Sequence, residues 1–161
     1  YPDDPAVIAT LLWNFLTLQA GEALYLDPGN LHAYLSGTGI EVMGSSDNVV
    51  RCGLTNKHVD VNELLATVVP QPLPDPILRA VPVAKTEAGR LWKYETPDAP
   101  FTLWVHQIDG TETLRARTRE LTLCGVGATN LLHRGEVCYL APGEEITLHG
   151  KATLFRVTEN S

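Results

Sequence analysis

Residues 4–19 have the apolar spacing of a helix. Asp4 is suited to cap its N-terminus, because its carboxylate can accept a backbone amide hydrogen bond, and Pro5 fits the first helical position. Apolar side chains then recur at every third or fourth position, at Val7, Leu11, Phe15 and Leu18. This spacing predicts a helix with one strongly buried face.

After Gly21 the pattern changes to short apolar runs of strand length. The runs EALYL, LHAYL, IEVMG and DNVVR are separated by Gly, Pro and Asn, which favour turns. Their spacing is typical of a β-sandwich or barrel. Further on, Asp60 and Glu63 have the spacing of a capping box ahead of a short helix.

A proline-rich segment, residues 69–85, divides the chain. Proline cannot donate to a β-ladder and disfavours a helix at the preceding residue, so we expect an extended connector here. Beyond it, strands are predicted at LWKYE, FTLWVHQ, ELTLCGV, NLLHR, EVCYL, EITLH and ATLFRV. The pattern thus predicts a helix followed by short strands at 1–68 and a separate β unit at 86–161.

Composition and charge narrow the classes of function. The chain has 161 residues, and 12 basic against 19 acidic residues give it a formal net charge of −7. Without a Lys/Arg-rich run, this acidity argues against a nucleic acid or an anionic membrane as partner. The apolar runs are far shorter than the ~20 residues that a transmembrane helix needs.

The cysteines favour a reducing compartment. Cys52, Cys124 and Cys138 are an odd number without CxxC spacing, which is typical of reduced thiols in a cytoplasmic protein. The chain begins at Tyr1 rather than at Met, so we expect it to be processed or to be part of a longer chain.

A repeat links the two units. Residues 21–32, GEALYLDPGNLH, and residues 135–146, GEVCYLAPGEEI, share GExxYLxPG without a gap. Such self-similarity predicts one β-hairpin unit that the fold uses twice. The first copy ends on His32, whereas the second has Ile146 at that position. If the unit binds a metal, only the first copy has the ligand.

His32 is the first candidate for chemistry. The G-x6-P-G-x2-H spacing resembles a motif of cupin barrels, in which a tight turn precedes a strand that aims a histidine inward. Alternation along LHAYL places His32 and Tyr34 on the same face. The spacing alone leaves two interpretations open: a metal ligand inside a barrel, or a core histidine that is satisfied by a carbonyl oxygen.

A longer run favours the metal ligand. Residues 32–60, HAYLSGTGIEVMGSSDNVVRCGLTNKHVD, closely resemble the C-terminal active-site signature of the type I mannose-6-phosphate isomerases. This family consists of zinc enzymes of tandem-cupin fold that interconvert mannose 6-phosphate and fructose 6-phosphate. The resemblance implies a mainly β, cupin-type jelly-roll or β-sandwich barrel with a few short helices. It makes 1–68 the returning part of the catalytic cupin and 86–161 a metal-free second cupin.

The resemblance also implies roles for individual residues. His32 matches a zinc ligand, and Arg51 matches a catalytic arginine that stabilises negative charge during isomerisation. Tyr34, Glu41 and Lys57 match residues of the substrate pocket, with Lys57 as a phosphate contact. Isomerisation through a cis-enediol(ate) requires a polarised carbonyl and a site for an anionic oxygen, which Zn²⁺ and an arginine provide.

The family's other zinc ligands, a Gln-x-His pair and a Glu, have no match here. No glutamine of this sequence is followed two residues later by histidine. Since zinc sites use three or four protein ligands, we expect His32 alone not to hold the metal tightly. The sequence therefore predicts an isolated chain that is inactive, with the remaining ligands outside residues 1–161.

These observations predict the C-terminal portion of a cytoplasmic mannose-6-phosphate isomerase, with a sugar phosphate as substrate and Zn²⁺ as the cofactor of the full-length enzyme. The expected protein partner is the enzyme's N-terminal portion or a second copy of the chain. A non-catalytic cupin-like module that binds a sugar phosphate or a protein is the alternative. Another metal-dependent cupin would explain GExxYLxPGxxH but not SDNVVRCGLTNK.

Overall fold

The computed structural model describes Tyr1, residues 3–96 and residues 98–160. This part of the chain is mainly β, with a 3₁₀ helix at Pro5–Leu12 and one α-helix, α1, at Val61–Thr67. Its strands are β1 (Glu22–Leu24), β2 (Ile77–Arg79), β3 (Val81–Lys85), β4 (Gly89–Lys93), β5 (Phe101–Arg115), β6 (Glu120–Thr129), β7 (Val137–Leu140) and β8 (Glu145–Glu159). No helix in these ranges is long and apolar enough to cross a membrane.

The strands form two antiparallel sheets. β1 and β2 pair with each other, and the other six strands are ordered β3-β4-β5-β8-β6-β7. β5 and β8 pair along their whole length of 15 residues, and β8 also pairs with β6. β2 and β3 lie within the predicted connector at 69–85, and the unit boundaries at 68 and 86 stay a prediction.

The hydrophobic core lies inside the six-stranded sheet. β5, β6, β8 and the β6–β7 loop supply its buried side chains, which are Ile108, Leu114, Cys124, Leu132, Leu148, Ala152 and Leu154. Alternate residues of each strand face this core, as the two-residue period of a strand requires. Among the described residues, none before Tyr94 is buried, so the core belongs to the C-terminal half of the chain.

Glycines allow β6 to lie close to β8. A Cβ atom at Gly127, where φ is 74°, would lie 2.1 Å from the carbonyl oxygen of Lys151. A Cβ atom at Gly150, where φ is 146°, would lie 2.5 Å from the carbonyl oxygen of Ala128. Because only glycine combines these dihedrals with such short backbone distances, the two residues set how closely these strands approach.

Two predictions for the C-terminal strands need correction. EITLH and ATLFRV are one strand, β8, because Gly150 between them keeps its pairing with both neighbouring strands. NLLHR is not a strand but a turn. Thr129 Oγ1 accepts hydrogen bonds from the amides of Leu131 at 3.3 Å and Leu132 at 3.0 Å, which turns the chain after β6.

The helix predicted at residues 4–19 is wrong in extent and in burial. Asp4 caps the helix and Pro5 is its first residue, as predicted, but the helix is 3₁₀ and ends at Leu12. The predicted apolar face is exposed, with Leu11 in the helix at 82% and Phe15 beyond its end at 80%. Amphipathic helices gain most of their stability from packing, and within the described ranges this face is left uncovered.

The strands predicted between residues 22 and 51 are largely absent from the described chain. Only β1 forms, whereas LHAYL, IEVMG and DNVVR have no ladder and their apolar side chains are mostly exposed. A strand requires a hydrogen-bonded partner, and the described residues do not provide one. By contrast, α1 depends on local signals, and Asp60 caps it by accepting the Glu63 amide at 3.0 Å, as predicted.

Candidate functional site

His32 follows the first GExxYLxPG turn and is exposed. Its Nδ1 lies 3.1 Å from the carbonyl oxygen of Asn30. Because a carbonyl oxygen only accepts, the proton of this bond is on Nδ1, and the Nε2 lone pair remains available for a ligand. The Tyr34 ring lies edge-on at 5.8 Å from the imidazole. Carbonyl-fixed tautomers of this kind are common among metal-bound histidines.

The two copies of the repeat have the same local structure around their first glycine. In the first copy, Glu22 Oε2 accepts the amide of Gln19 at 2.9 Å, and in the second, Glu136 Oε2 accepts the amide of His133 at 2.8 Å. These backbone hydrogen bonds lower the pKa of both carboxylates. The glycines share one conformation, with φ of 87° at Gly21 and 90° at Gly135.

The second turn of the repeat is reproduced as well. The Asp27 amide donates to Asn30 Oδ1 at 3.0 Å, and the Ala141 amide donates to Glu144 Oε2 at 2.7 Å. The following glycines, Gly29 and Gly143, both have a φ of 89°. The two copies therefore share their hydrogen bonds as well as their sequence skeleton, as expected for one unit used twice.

The second copy shows how the positions that follow the turn pack there. Ile146 and Leu148 are the counterparts of His32 and Tyr34; Leu148 is in the core of the six-stranded sheet, and Ile146 is partly buried and packs against that core. The two residues lie on the same face of β8 because side chains alternate along a strand. His32 and Tyr34 occupy the corresponding positions of the first copy, where both are exposed among the described residues.

Tyr34 and Glu41 are joined directly. The Tyr34 hydroxyl donates to Glu41 Oε1 at 2.9 Å. Partial desolvation of the phenol, together with this bond, raises the pKa of Tyr34, even though 72% of the residue is exposed. At neutral pH the hydroxyl is therefore protonated and can donate to Glu41, so Tyr34 contacts both Glu41 and the His32 ring.

Arg51 and Lys57 lie on a single turn at residues 51–57. Arg51 is half-buried and Lys57 is exposed, and the Lys57 amide donates to Thr55 Oγ1 at 3.1 Å. The turn is fixed to the 3₁₀ helix, because Asp4 Oδ2 accepts the Leu54 amide at 2.7 Å. Sequence reasoning identified Asp4 only as a helix cap and missed this bond, since 50 residues separate its partners.

The predicted site residues form two groups. His32, Tyr34 and Glu41 are one group, and Arg51 and Lys57 are the other; the described residues contain no hydrogen bond or ion pair between them. Nor do any three His, Cys, Asp or Glu side chains of the described ranges come close enough to hold a metal ion. His32 suits zinc as a ligand, but these residues do not make a zinc site by themselves.

A second polar cluster lies in the C-terminal unit. Arg156 on β8 makes a bidentate pair with Glu120 on β6, with Nε–Oε1 at 2.6 Å and Nη2–Oε2 at 2.9 Å. Arg156 Nη1 also lies 3.4 Å from Nδ1 of the buried His106 on β5. Burial and the Arg156 charge lower the pKa of His106. The cluster links three adjacent strands, and its groups are paired with one another rather than directed at a ligand.

Comparison with known proteins places this arrangement in context. No protein-family model matches the chain. The mannose-6-phosphate isomerase of Salmonella typhimurium is 36% identical to it over 145 residues, which are 89% of this chain and 36% of that protein. The isomerase of Escherichia coli is 33% identical over 167 residues, which are 98% of this chain and 42% of that protein.

A solved structure gives the same relationship. The crystal structure of the Salmonella typhimurium isomerase bound to its substrate fructose 6-phosphate and zinc matches with a TM-score of 0.71 and 29% identity. The match covers 100% of this chain and 43% of that chain. The chain thus spans about two fifths of the length of the relatives it matches.

The fold and the duplicated turn define a mainly β protein of cupin type, which confirms the predicted fold class. In sequence and in structure the chain is a homologue of the mannose-6-phosphate isomerases, and its partial coverage of them fits their C-terminal portion.

Proposed function

We propose that this chain is the C-terminal portion of a zinc-dependent aldose–ketose isomerase that interconverts mannose 6-phosphate and fructose 6-phosphate. The observation that carries the proposal is the match to named isomerases over 89–98% of the chain. The chain contributes part of the site, and residues beyond 1–161 contribute the rest. The isolated chain is accordingly expected to be inactive.

His32 is the zinc ligand that this chain contributes. The correspondence with Ile146 supports this role, because it would give His32 an inward-facing position in a completed first unit. Its Nδ1 is held by Asn30, so Nε2 is the coordinating atom. Zinc in the complete enzyme would polarise the substrate oxygens, and Tyr34 with Glu41 would contact the sugar beside it.

Arg51 and Lys57 supply the positive charge that the reaction needs. A sugar phosphate has a charge of about −1.5 to −2 near neutral pH, and an enediolate carries negative charge on oxygen. Lys57, which is exposed, would bind the phosphate group. Arg51, which is half-buried on the same turn, would stabilise the anionic oxygen.

Strands supplied by further chain would cover the exposed apolar surface of residues 1–68. In the second copy, β8 has a strand on each side, whereas its counterpart in the first copy, at 31–45, has none among the described residues. Exposed apolar side chains lie along this segment, including Leu35, Ile40 and Met43. The N-terminal portion of the isomerase, a cytoplasmic enzyme in this proposal, is the partner that would supply the flanking strands.

A fusion enzyme tests the proposal. The chain would be joined to the part of the Escherichia coli isomerase that it does not cover, and assayed for conversion of mannose 6-phosphate. We expect the fusion to bind zinc and turn over, and the chain alone to do neither. Turnover by the chain alone would contradict the proposal, as would a folded, zinc-loaded fusion without activity. The latter result would favour a non-catalytic binding module.

Two variants of the fusion separate the roles of the site residues. His32→Ala should lose zinc and activity together, because it removes a ligand. Arg51→Ala should lose activity by about 10²-fold or more while zinc content is unchanged, because it removes charge stabilisation only. Metal analysis and kinetics of the same samples decide between these outcomes. Loss of zinc in Arg51→Ala would reassign that residue to the metal.

A further inference from the structure

Asp4 uses both carboxylate oxygens on backbone amides. Oδ1 accepts the amide of Ala6 at 2.9 Å, which caps the 3₁₀ helix. Oδ2 accepts the amide of Leu54 at 2.7 Å, which reaches the turn that carries Arg51 and Lys57. Hydrogen bonds to a charged acceptor are roughly twice as strong as neutral ones, so one side chain holds two distant segments together.

The turn that Asp4 holds has an unfavourable backbone conformation. Leu54 has a φ of 52°, and it is the one non-glycine residue of the described ranges with positive φ. The left-handed region is unfavourable for a non-glycine residue, so the surroundings must hold Leu54 there. The Asp4 bond is made to the amide of this same residue.

Packing against the same part of the 3₁₀ helix also restrains the turn. Gly53 has a φ of 149°, and a Cβ atom there would lie 2.4 Å from the Cβ of Ala6 and 3.0 Å from Asp4 Oδ1. The turn backbone therefore lies directly against the start of the 3₁₀ helix. Leu54 lies three residues from both Arg51 and Lys57, so the Asp4 bond restrains the backbone that joins the two cations.

We propose that Asp4 is a positioning residue of the isomerase, which orients Arg51 and Lys57 by clamping the Leu54 amide to the 3₁₀ helix. The inference rests on the proposed function for its catalytic consequence, although the clamp itself is independent of it. Asp4 does not touch the substrate in this assignment. It acts through the backbone of the turn.

Two substitutions separate the clamp from the helix cap. Asp4→Ser retains an oxygen that can cap the helix but is too short to serve both amides. Asp4→Ala removes both bonds. Asp3→Ser is the matched control, because it removes the same charge from the neighbouring exposed position.

Amide exchange in the 161-residue chain tests the clamp directly. In Asp4→Ser we expect exchange of the Leu54 amide to accelerate about tenfold or more, the change that loss of about 1.4 kcal/mol of protection gives, while the Ala6 amide changes little. Both amides should exchange faster in Asp4→Ala, and neither in Asp3→Ser. An unchanged Leu54 amide in Asp4→Ala would overturn the proposal, whether or not the chain is an isomerase.

Kinetics of the active fusion test the consequence. Asp4→Ser should lower kcat/KM for mannose 6-phosphate about tenfold. This loss should be smaller when Lys57 is already Ala, because the contact through Lys57 is then absent and only the effect on Arg51 remains. Zinc content should be unchanged. A loss of equal size in both backgrounds would show a merely structural role and would overturn the positioning assignment. An inactive unsubstituted fusion would instead refute the proposed function, leaving the amide exchange result to decide the clamp.

Discussion

Glu120 is a charged residue that is only 2% exposed. Its carboxylate accepts two hydrogen bonds from Arg156 and a third from Thr122 Oγ1 at 2.9 Å. Burying a charge is costly unless it is paired and hydrogen-bonded, and here every oxygen has a donor. The pair therefore tolerates burial but leaves the C-terminal unit sensitive to the loss of either partner.

Glu120→Gln tests this sensitivity. Removing one member of a buried pair should lower the free energy of unfolding by about 3–5 kcal/mol, because the Arg156 charge remains buried without a counter-charge. Urea denaturation followed by tryptophan fluorescence measures the change. Arg119→Gln, which breaks the neighbouring exposed pair with Glu159, should change little. Equal effects of the two substitutions would contradict the argument.

His106 predicts a pH dependence of stability. Burial and Arg156 lower its pKa below the ordinary 6.5, against opposing effects of Glu112 and Glu120. Below about pH 6.5, His106 binds a proton more readily in the unfolded chain than in the folded one. The free energy of unfolding therefore falls as the pH decreases from that value. Thermal unfolding between pH 7.5 and 5.5 should show this loss, and His106→Gln should flatten it. A variant that keeps the full slope would assign the effect to other groups.

At the scale of elements, the sequence predicted the features that depend on neighbouring residues and missed those that depend on residues far apart in the chain. Asp60 as the cap of α1 and the glycine turns of the repeat depend on neighbours within four residues, and they were predictable. The Asp4–Leu54 bond joins positions 50 residues apart and left no local signal. The strands at 31–51 were predicted from short apolar runs between turn residues, but their partners are not among the described residues.

Gly127 and Gly143 offer a matched test of close strand packing. Both have positive φ, but a Cβ atom at Gly143 would meet nothing within 4 Å, whereas at Gly127 it would overlap the Lys151 carbonyl. Gly143→Ala should cost about 1–2 kcal/mol for its backbone conformation alone. Gly127→Ala should cost about 1–3 kcal/mol more, because β6 must move away from β8. If urea denaturation gave the two variants equal free energies of unfolding, β6 would be able to move away from β8 without cost.

At the scale of the whole molecule, the two halves of the chain differ in how far their side chains are buried. Residues 81–159 contain a six-stranded sheet with its own core, whereas the described residues before Tyr94 bury no side chain fully. The relatives it matches are more than twice as long. The half that carries the candidate site is thus the half with the least buried surface among the described residues, and under the proposed function additional chain would cover it.

Hydrogen exchange measured by mass spectrometry tests this asymmetry. In the chain alone, peptides from 31–50 should exchange within seconds, because their amides have no ladder, while peptides from β5 and β8 should be protected. In the fusion with the Escherichia coli portion, residues 31–45 should gain protection as flanking strands are supplied. Strong protection of 31–45 in the chain alone would contradict the proposed completion.

The duplicated turn has a consequence for how such motifs are searched. Both copies have the same glycine conformations and equivalent side-chain hydrogen bonds to backbone amides, yet only the first is followed by a histidine. A scan for GExxYLxPG would therefore return two hits in this chain and a single candidate ligand. The number of matches to the pattern therefore gives the number of hairpin units. The residue three positions after the last glycine shows which of these units has a candidate ligand.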